Sequence, residues 1–260
     1  MKKFLFLLMA ITLISLPAYC GIVQGGVEKQ SMLSRNRVVD SSSKAPIDGA
    51  KITLPQKNYQ TYTDHEGKFS LDADVNGQTV MSVEKPGYKP FSVTIDKQLA
   101  DKPIILGIEK STPKDITIDT NMFHLGDNNF SDLSANSRDF QVQAIGPYYS
   151  KNFLVPSLPQ GTNANLIIGS IIGIDTKMAK SMGQNKINRA YSSPPEVYFN
   201  GNKIAELQLN GDGQKIKIPH NLIRQNQQNE VTIKTGRNLM QTAYVDYDDI
   251  EFMNLSIEVH

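Results

Sequence analysis

A chain of 260 residues with 27 Lys and Arg against 26 Asp and Glu carries a formal charge of +1, which leaves no global field to recruit nucleic acid or an anionic membrane. Its 39% hydrophobic and 20% charged residues are those of a folded protein with room for one large or two modest domains. The single cysteine, Cys20, excludes an intramolecular disulfide.

Lys2 and Lys3 precede an apolar run from Phe4 to Leu16, then Pro17, Ala18, Tyr19, Cys20 and Gly21. A positive start, a short apolar core and small residues at its end predict a secretory signal peptide over residues 1–20. Cleavage before Gly21 would remove the only cysteine. A lipid anchor at Cys20 is disfavoured, because lipoprotein acceptors normally follow a small residue and Tyr19 is large. The run is too short to span a bilayer comfortably, and no later stretch is apolar enough to do so. The mature chain is therefore expected to be exported, to the periplasm, the cell surface or the medium. Residues 21–34, with glycines and no periodicity, read as a linker.

From Arg35 short strand-like runs alternate with turns. Ala50, Ile52 and Leu54 fall on one face of a strand, Tyr59–Thr63 forms another, and Asp64-His-Glu-Gly-Lys68 is a turn. Phe69–Leu71 resumes the strand, Thr79–Val83 follows, Pro86-Gly-Tyr88 turns, and Phe91–Ile95 is the next strand. Plentiful Asn, Gln, Ser, Thr and Gly, without long helix-favouring runs, make the chain all-β. The motifs Val39-Asp-Ser-Ser-Ser-Lys-Ala-Pro-Ile-Asp-Gly-Ala50, Thr63-Asp-His-Glu-Gly-Lys-Phe69 and Val83-Glu-Lys-Pro-Gly-Tyr88 together resemble the carboxypeptidase regulatory-like, or transthyretin-like, domain. The resemblance covers residues 35–110 and implies a Greek-key β-sandwich acting as spacer or docking module, with no catalytic residues.

Lys110-Ser-Thr-Pro-Lys114 reads as a hinge. Beyond it, strands are expected at Ile116–Ile118, Asp139–Gln143, Tyr149–Val155 and Leu166–Ile174, with a loop and one helical turn over 177–189. Asn200-Gly201, between Pro195–Phe199 and Lys203–Leu207, predicts a tight hairpin. The last strand, Tyr244–Val259, begins with carboxylates and turns apolar; at period two, Asp246, Asp248, Ile250 and Phe252 share one face and Tyr247, Asp249, Glu251 and Met253 the other. This pattern makes residues 115–260 similar to the jelly-roll, galactose-binding-like sandwich of carbohydrate-binding modules.

That resemblance suggests two sites. Asp127, Asn128 and Asn129 in the first polar loop, with Asp246, Asp248 and Asp249 on the last strand, are hard oxygen donors suited to a structural calcium; solvated or ion-paired acids are the competing reading. Tyr148, Tyr149, Tyr191 and Tyr244 would offer aromatic faces to a sugar, with Arg189, Arg237 and Asn136 for its hydroxyls, whereas tyrosines in strands also serve simply as packing. The four histidines lack metal-ligand spacing, and no nucleophile elbow or phosphate loop occurs, so the chain reads as non-catalytic. The leading expectation is an exported binding protein with a glycan ligand and, beyond calcium, no cofactor. Its rivals are a structural or adhesive envelope protein with protein partners and an enzyme of unrecognised type.

Overall fold

The computed structural model describes residues 36–127, 140, 142–159, 161–185 and 191–260; the predicted signal peptide and linker, with Asn128, Asn129, Asn136 and Arg189, lie outside them. In the first half, the described strands are β1 (Arg37–Asp40), β2 (Lys51–Leu54), β3 (Tyr59–Tyr62), β4 (Thr79–Glu84), β5 (Phe91–Ile95) and β6 (Ile105–Ile108). They form an antiparallel sheet in the order β3-β2-β4-β5 and a parallel pair β1-β6. Alternation decides the packing. Ile52, Leu54, Met81 and Val83 point inward to Val38, Leu106 and Ile108, while Lys51, Thr53, Ser82 and Ser92 lie among polar neighbours. Phe69 and Leu71, expected within a strand, belong to none; Phe69 is held instead by its N–H to Asn36 O at 3.1 Å and by burial.

The second half carries β7 (Ile116–Leu125), β8 (Tyr148–Val155), β9 (Ala164–Ile172), β10 (Glu196–Phe199), β11 (Asn202–Glu206), β12 (Gly211–Ile218), β13 (Gln227–Lys234) and β14 (Ile250–Val259). The two sheets, β12-β9-β14-β7 and β11-β10-β13-β8, enclose one core, an eight-stranded jelly roll in which the last strand pairs with the first. The fold is thus all-β, with two sandwiches. Asn200 and Gly201, at φ 49° and 78°, make the expected hairpin between β10 and β11. Asn200 is also tied in place: Nδ2 donates to Leu222 O at 2.7 Å, and Oδ1 accepts from Glu230 N at 2.8 Å. Val142 and Gln143, expected within a strand, belong to none.

Strand β14 explains how the halves meet. Ile250 and Phe252 enter the jelly-roll core, where Phe252 meets Tyr149 and Phe123 at ring-centroid distances of 5.4 and 5.7 Å. Glu251 and Met253, on the opposite face, are equally buried, because the first sandwich covers that face. Met253, Met122 and Ile172 pack on Val80 of β4. Around them, Thr94 N and Oγ1 donate to the Asp212 carboxylate at 3.0 and 2.8 Å, Ser170 Oγ donates to Ser92 Oγ at 3.0 Å, and Asn254 Nδ2 donates to Ser82 Oγ at 3.2 Å. The segment expected as a hinge is pinned as well: Ser111 N donates to Gly87 O, and Lys89 pairs with Glu109, Asp115 and Glu258.

Candidate functional site

The outer face of the β11-β10-β13-β8 sheet carries a row fixed by register. Tyr148 stands opposite Lys234, Lys234 opposite Glu196, and Glu196 opposite Glu206, so the four share one face. One residue along, Tyr149, Ile233 and Val197 form the matching row on the buried face. The row floors a groove of about 550 Å³, walled by Pro147, Ser193, Pro194, Thr235, Arg237 and Tyr247.

Three segments build the wall. Ser193 N donates to Arg237 O, and Arg237 N donates to Ser193 Oγ, both at 2.9 Å. Asp248 N donates to Gly236 O at 3.0 Å, and Arg237 bridges Tyr247. Gly236 is required at this crossing, since a Cβ would lie 1.8 Å from Ser193 O. Tyr148 is 59% exposed, a large aromatic face left in solvent at the mouth of a concave site.

The charges are ordered. Lys203 Nζ reaches Glu196 Oε1 at 2.7 Å and Glu206 Oε1 at 2.6 Å, and Tyr198 OH donates to Glu196 Oε2 at 2.6 Å. The hydrogen bonds from Lys203 and Tyr198 hold the Glu196 carboxyl below its ordinary pKa, and those same carboxylates raise that of Lys203. Lys234 lies over the Tyr198 ring, 4.6 Å from its centroid. The guanidinium of Arg237 has no partner among the described residues.

Of the sequence-predicted ligand residues, Tyr148 and Arg237 line this groove. Tyr149 does not, and that expectation is corrected: period two turns it inward, where it is 5% exposed, packs 4.5 Å from Phe123 and donates to Asp119 Oδ2 at 3.0 Å. Its hydroxyl pKa is raised by burial and by the Asp119 carboxylate, so it stays a neutral donor. Tyr191 is half-buried beneath Lys180 Nζ at 4.7 Å, and Tyr244, although exposed, does not line the groove. Tyr247, Glu196, Glu206 and Lys234 were missed; for Glu196 and Lys234 the signal was the polar half of the alternation around Val197 and Ile233.

Behind the wall lie the closing acids. Asp246 Oδ2 accepts from Asn238 Nδ2 at 2.9 Å, Asp248 Oδ2 accepts from Ser192 Oγ at 2.7 Å, and Asp249 Oδ1 faces His124 Nε2 at 3.0 Å. Burial, with Asp127 and Asp249 nearby, raises the pKa of Asp246 despite the Asn238 hydrogen bond; burial and the Asp175 carboxylate raise that of Asp248 well above normal. Negative charge is thus in excess. Even so, among the described residues no three His, Asp or Glu side chains converge where one ion could be held. Asn129 lies outside them, and the described members of the expected set do not by themselves form a calcium cage.

Residues 37–116 match the family model of the CarboxypepD_reg-like domain. The first sandwich is such a domain. A search of curated proteins found no match. Among solved structures, one from Bacteroides uniformis, described as a "putative carbohydrate binding protein", aligns at 10% identity and a TM-score of 0.19, covering 86% of this chain and 96% of its own. A likeness that slight carries no argument here. The CarboxypepD_reg-like domain does reach the acidic end of β14. Its Gln56 Nε2 donates to Glu251 Oε2 at 2.5 Å while Gln56 Oε1 accepts from Val80 N at 2.7 Å. Glu251 in turn lies 3.9 Å from His124 Nδ1, which donates to Val142 O at 2.7 Å. The domain therefore supports the base of β14 rather than standing apart from it.

Proposed function

We propose that this is an exported, non-catalytic binding protein that recognises carbohydrate in the groove of its jelly roll. The observation that carries this reading is Tyr148, a mostly exposed ring fixed in register beside Lys234 and facing a groove with Tyr247 and Arg237. Sugar rings stack on such faces through their C–H edges, and the surrounding Ser193, Glu196, Glu206 and Arg237 supply donors and acceptors for hydroxyls. Both carboxylates of the groove are hydrogen-bonded to the Lys203 ammonium, which suits them to hold hydroxyls rather than to transfer protons. The CarboxypepD_reg-like domain serves as a rigid base for the jelly roll.

A glycan array probed with the full mature chain tests this, beside Tyr148→Ala and Tyr247→Ala. Selective binding that drops about tenfold or more in either variant, with unchanged melting temperature, is expected from the loss of one stacking face. Binding unaffected by both changes would move the ligand out of this groove. A blank array would shift weight to a protein-binding envelope role.

A further inference from the structure

The charges of the groove indicate which sugars it takes. Two cations of the lining, Lys234 and Arg237, stand against two carboxylates, Glu196 and Glu206, and Lys203, next to the lining, reaches both carboxylates. Both carboxylates are engaged by Lys203, and Lys234 is set on the Tyr198 ring. That leaves Arg237, exposed and without a side-chain partner among the described residues. Its backbone is nonetheless held at N and O by Ser193 and braced by the close packing of Gly236, so the guanidinium starts from a fixed point between Tyr247 and Ser193. The acids behind the wall turn away from it, toward Asn238, Ser192 and His124.

Resting on the carbohydrate reading above, we propose that the ligand is an acidic sugar, one whose ring bears a carboxylate, and that Arg237 reads this carboxylate. A guanidinium presents two parallel N–H groups that match the two oxygens of a carboxylate, and the pair is stronger and more directional than a bond to a neutral hydroxyl. A ring stacked on Tyr148 would carry its carboxylate toward the wall. Lys234 adds charge of the same sign, and the engaged glutamates meet the ring hydroxyls. A neutral hexose would use the same stacking face yet offer Arg237 only a hydroxyl in place of a two-oxygen partner.

The test is a panel of uronate and sialate oligosaccharides, each beside its carboxyl-reduced alcohol, titrated against the full mature chain and against Arg237→Gln. Wild type is expected to bind a carboxylated member about tenfold or more tightly than its reduced partner, as one charge-assisted pair allows. Arg237→Gln should erase that gap, so that the carboxylated sugar binds no more tightly than its reduced partner. If the tightest ligand is neutral, or the gap survives Arg237→Gln, the inference falls and the carbohydrate reading stands. If no sugar of either kind binds, both fall.

Discussion

Gly169 of the jelly roll lies against Ser92 of the first sandwich with no space for a side chain: a Cβ would sit 2.5 Å from Ser92 Oγ and 2.6 Å from Asn254 Cβ. Ser92 Oγ could rotate away, but the Cβ of Asn254 is part of a buried strand and has nowhere to go. Gly169→Ala should therefore lower stability by about 1–3 kcal/mol, the range for overpacking a tight contact. Thermal melting of the full chain checks it, with Gly107→Ala, a strand glycine without positive φ whose added Cβ would meet Ser41 at an ordinary 3.6 Å, as control for a change at glycine. An unchanged midpoint for Gly169→Ala would show that the contact is looser than described.

The same contact bears on cooperativity. Val80, Met122, Ile172 and Met253 form an apolar cluster shared by both sandwiches, and buried polar pairs surround it. Cutting near Pro113 would expose Met253 and leave Glu251 without Gln56, a buried carboxylate losing a hydrogen bond. The full chain should melt in one transition by calorimetry, and the isolated jelly-roll half should be insoluble or melt well below it. Two separate transitions that match the separate halves would contradict a shared core.

Much of this fold was written locally. The turn at Asn200 and Gly201, the alternation in β2 and β14, and the three motifs of the first sandwich each rest on neighbours in sequence, where period and backbone preference act directly. The interface was not legible, because it is made by the polar faces of β4 and β5, and Ser82, Ser92 and Thr94 look like any solvent-facing strand residues until Asn254, Ser170 and Asp212 meet them. Tyr149 was misplaced for the same reason, while its neighbour Tyr148 does line the groove. Sequence marks both as aromatic, and only the register with Lys234 and Ile233 says which one faces water.

Stability should fall as pH rises past neutrality. His124 is fully buried with Val142 O and Asp249 on its two ring nitrogens, an arrangement that suits the imidazolium. Burial opposes that charge, but the Asp249 hydrogen bond, the Val142 carbonyl and the Asp249 and Glu251 carboxylates prevail, and the pKa is raised from 6.5. The folded state then holds a proton that the unfolded chain gives up, so this stabilisation is complete below 6.5 and is lost as pH climbs through the higher folded value. Raised pKa values at Asp246 and Asp248 act in the same direction above 3.8. The melting temperature should be lower at about pH 8.5 than at about pH 6, and His124→Gln should flatten that slope. A wild-type profile that is level or rises over this interval would refute the assignment.

Asp248 offers a way to ask whether a proton or a cation meets the excess negative charge. Its Oδ2 accepts from Ser192 Oγ at 2.7 Å and, more distantly, from Asp175 N at 3.4 Å, while its charge is opposed by burial and by the Asp175 carboxylate. Asn at this position would keep the acceptor and remove the charge. Asp248→Asn should then match or exceed wild type at about pH 8, by on the order of 1 kcal/mol for each pKa unit relieved, with the gain shrinking toward about pH 5. Melting both proteins with and without added calcium separates the two cases, and a wild-type midpoint that calcium leaves unchanged would assign the charge relief to the proton. A calcium-dependent rise that Asp248→Asn abolishes would place the ion at this residue instead, and the variant would then be the less stable protein whenever calcium is present.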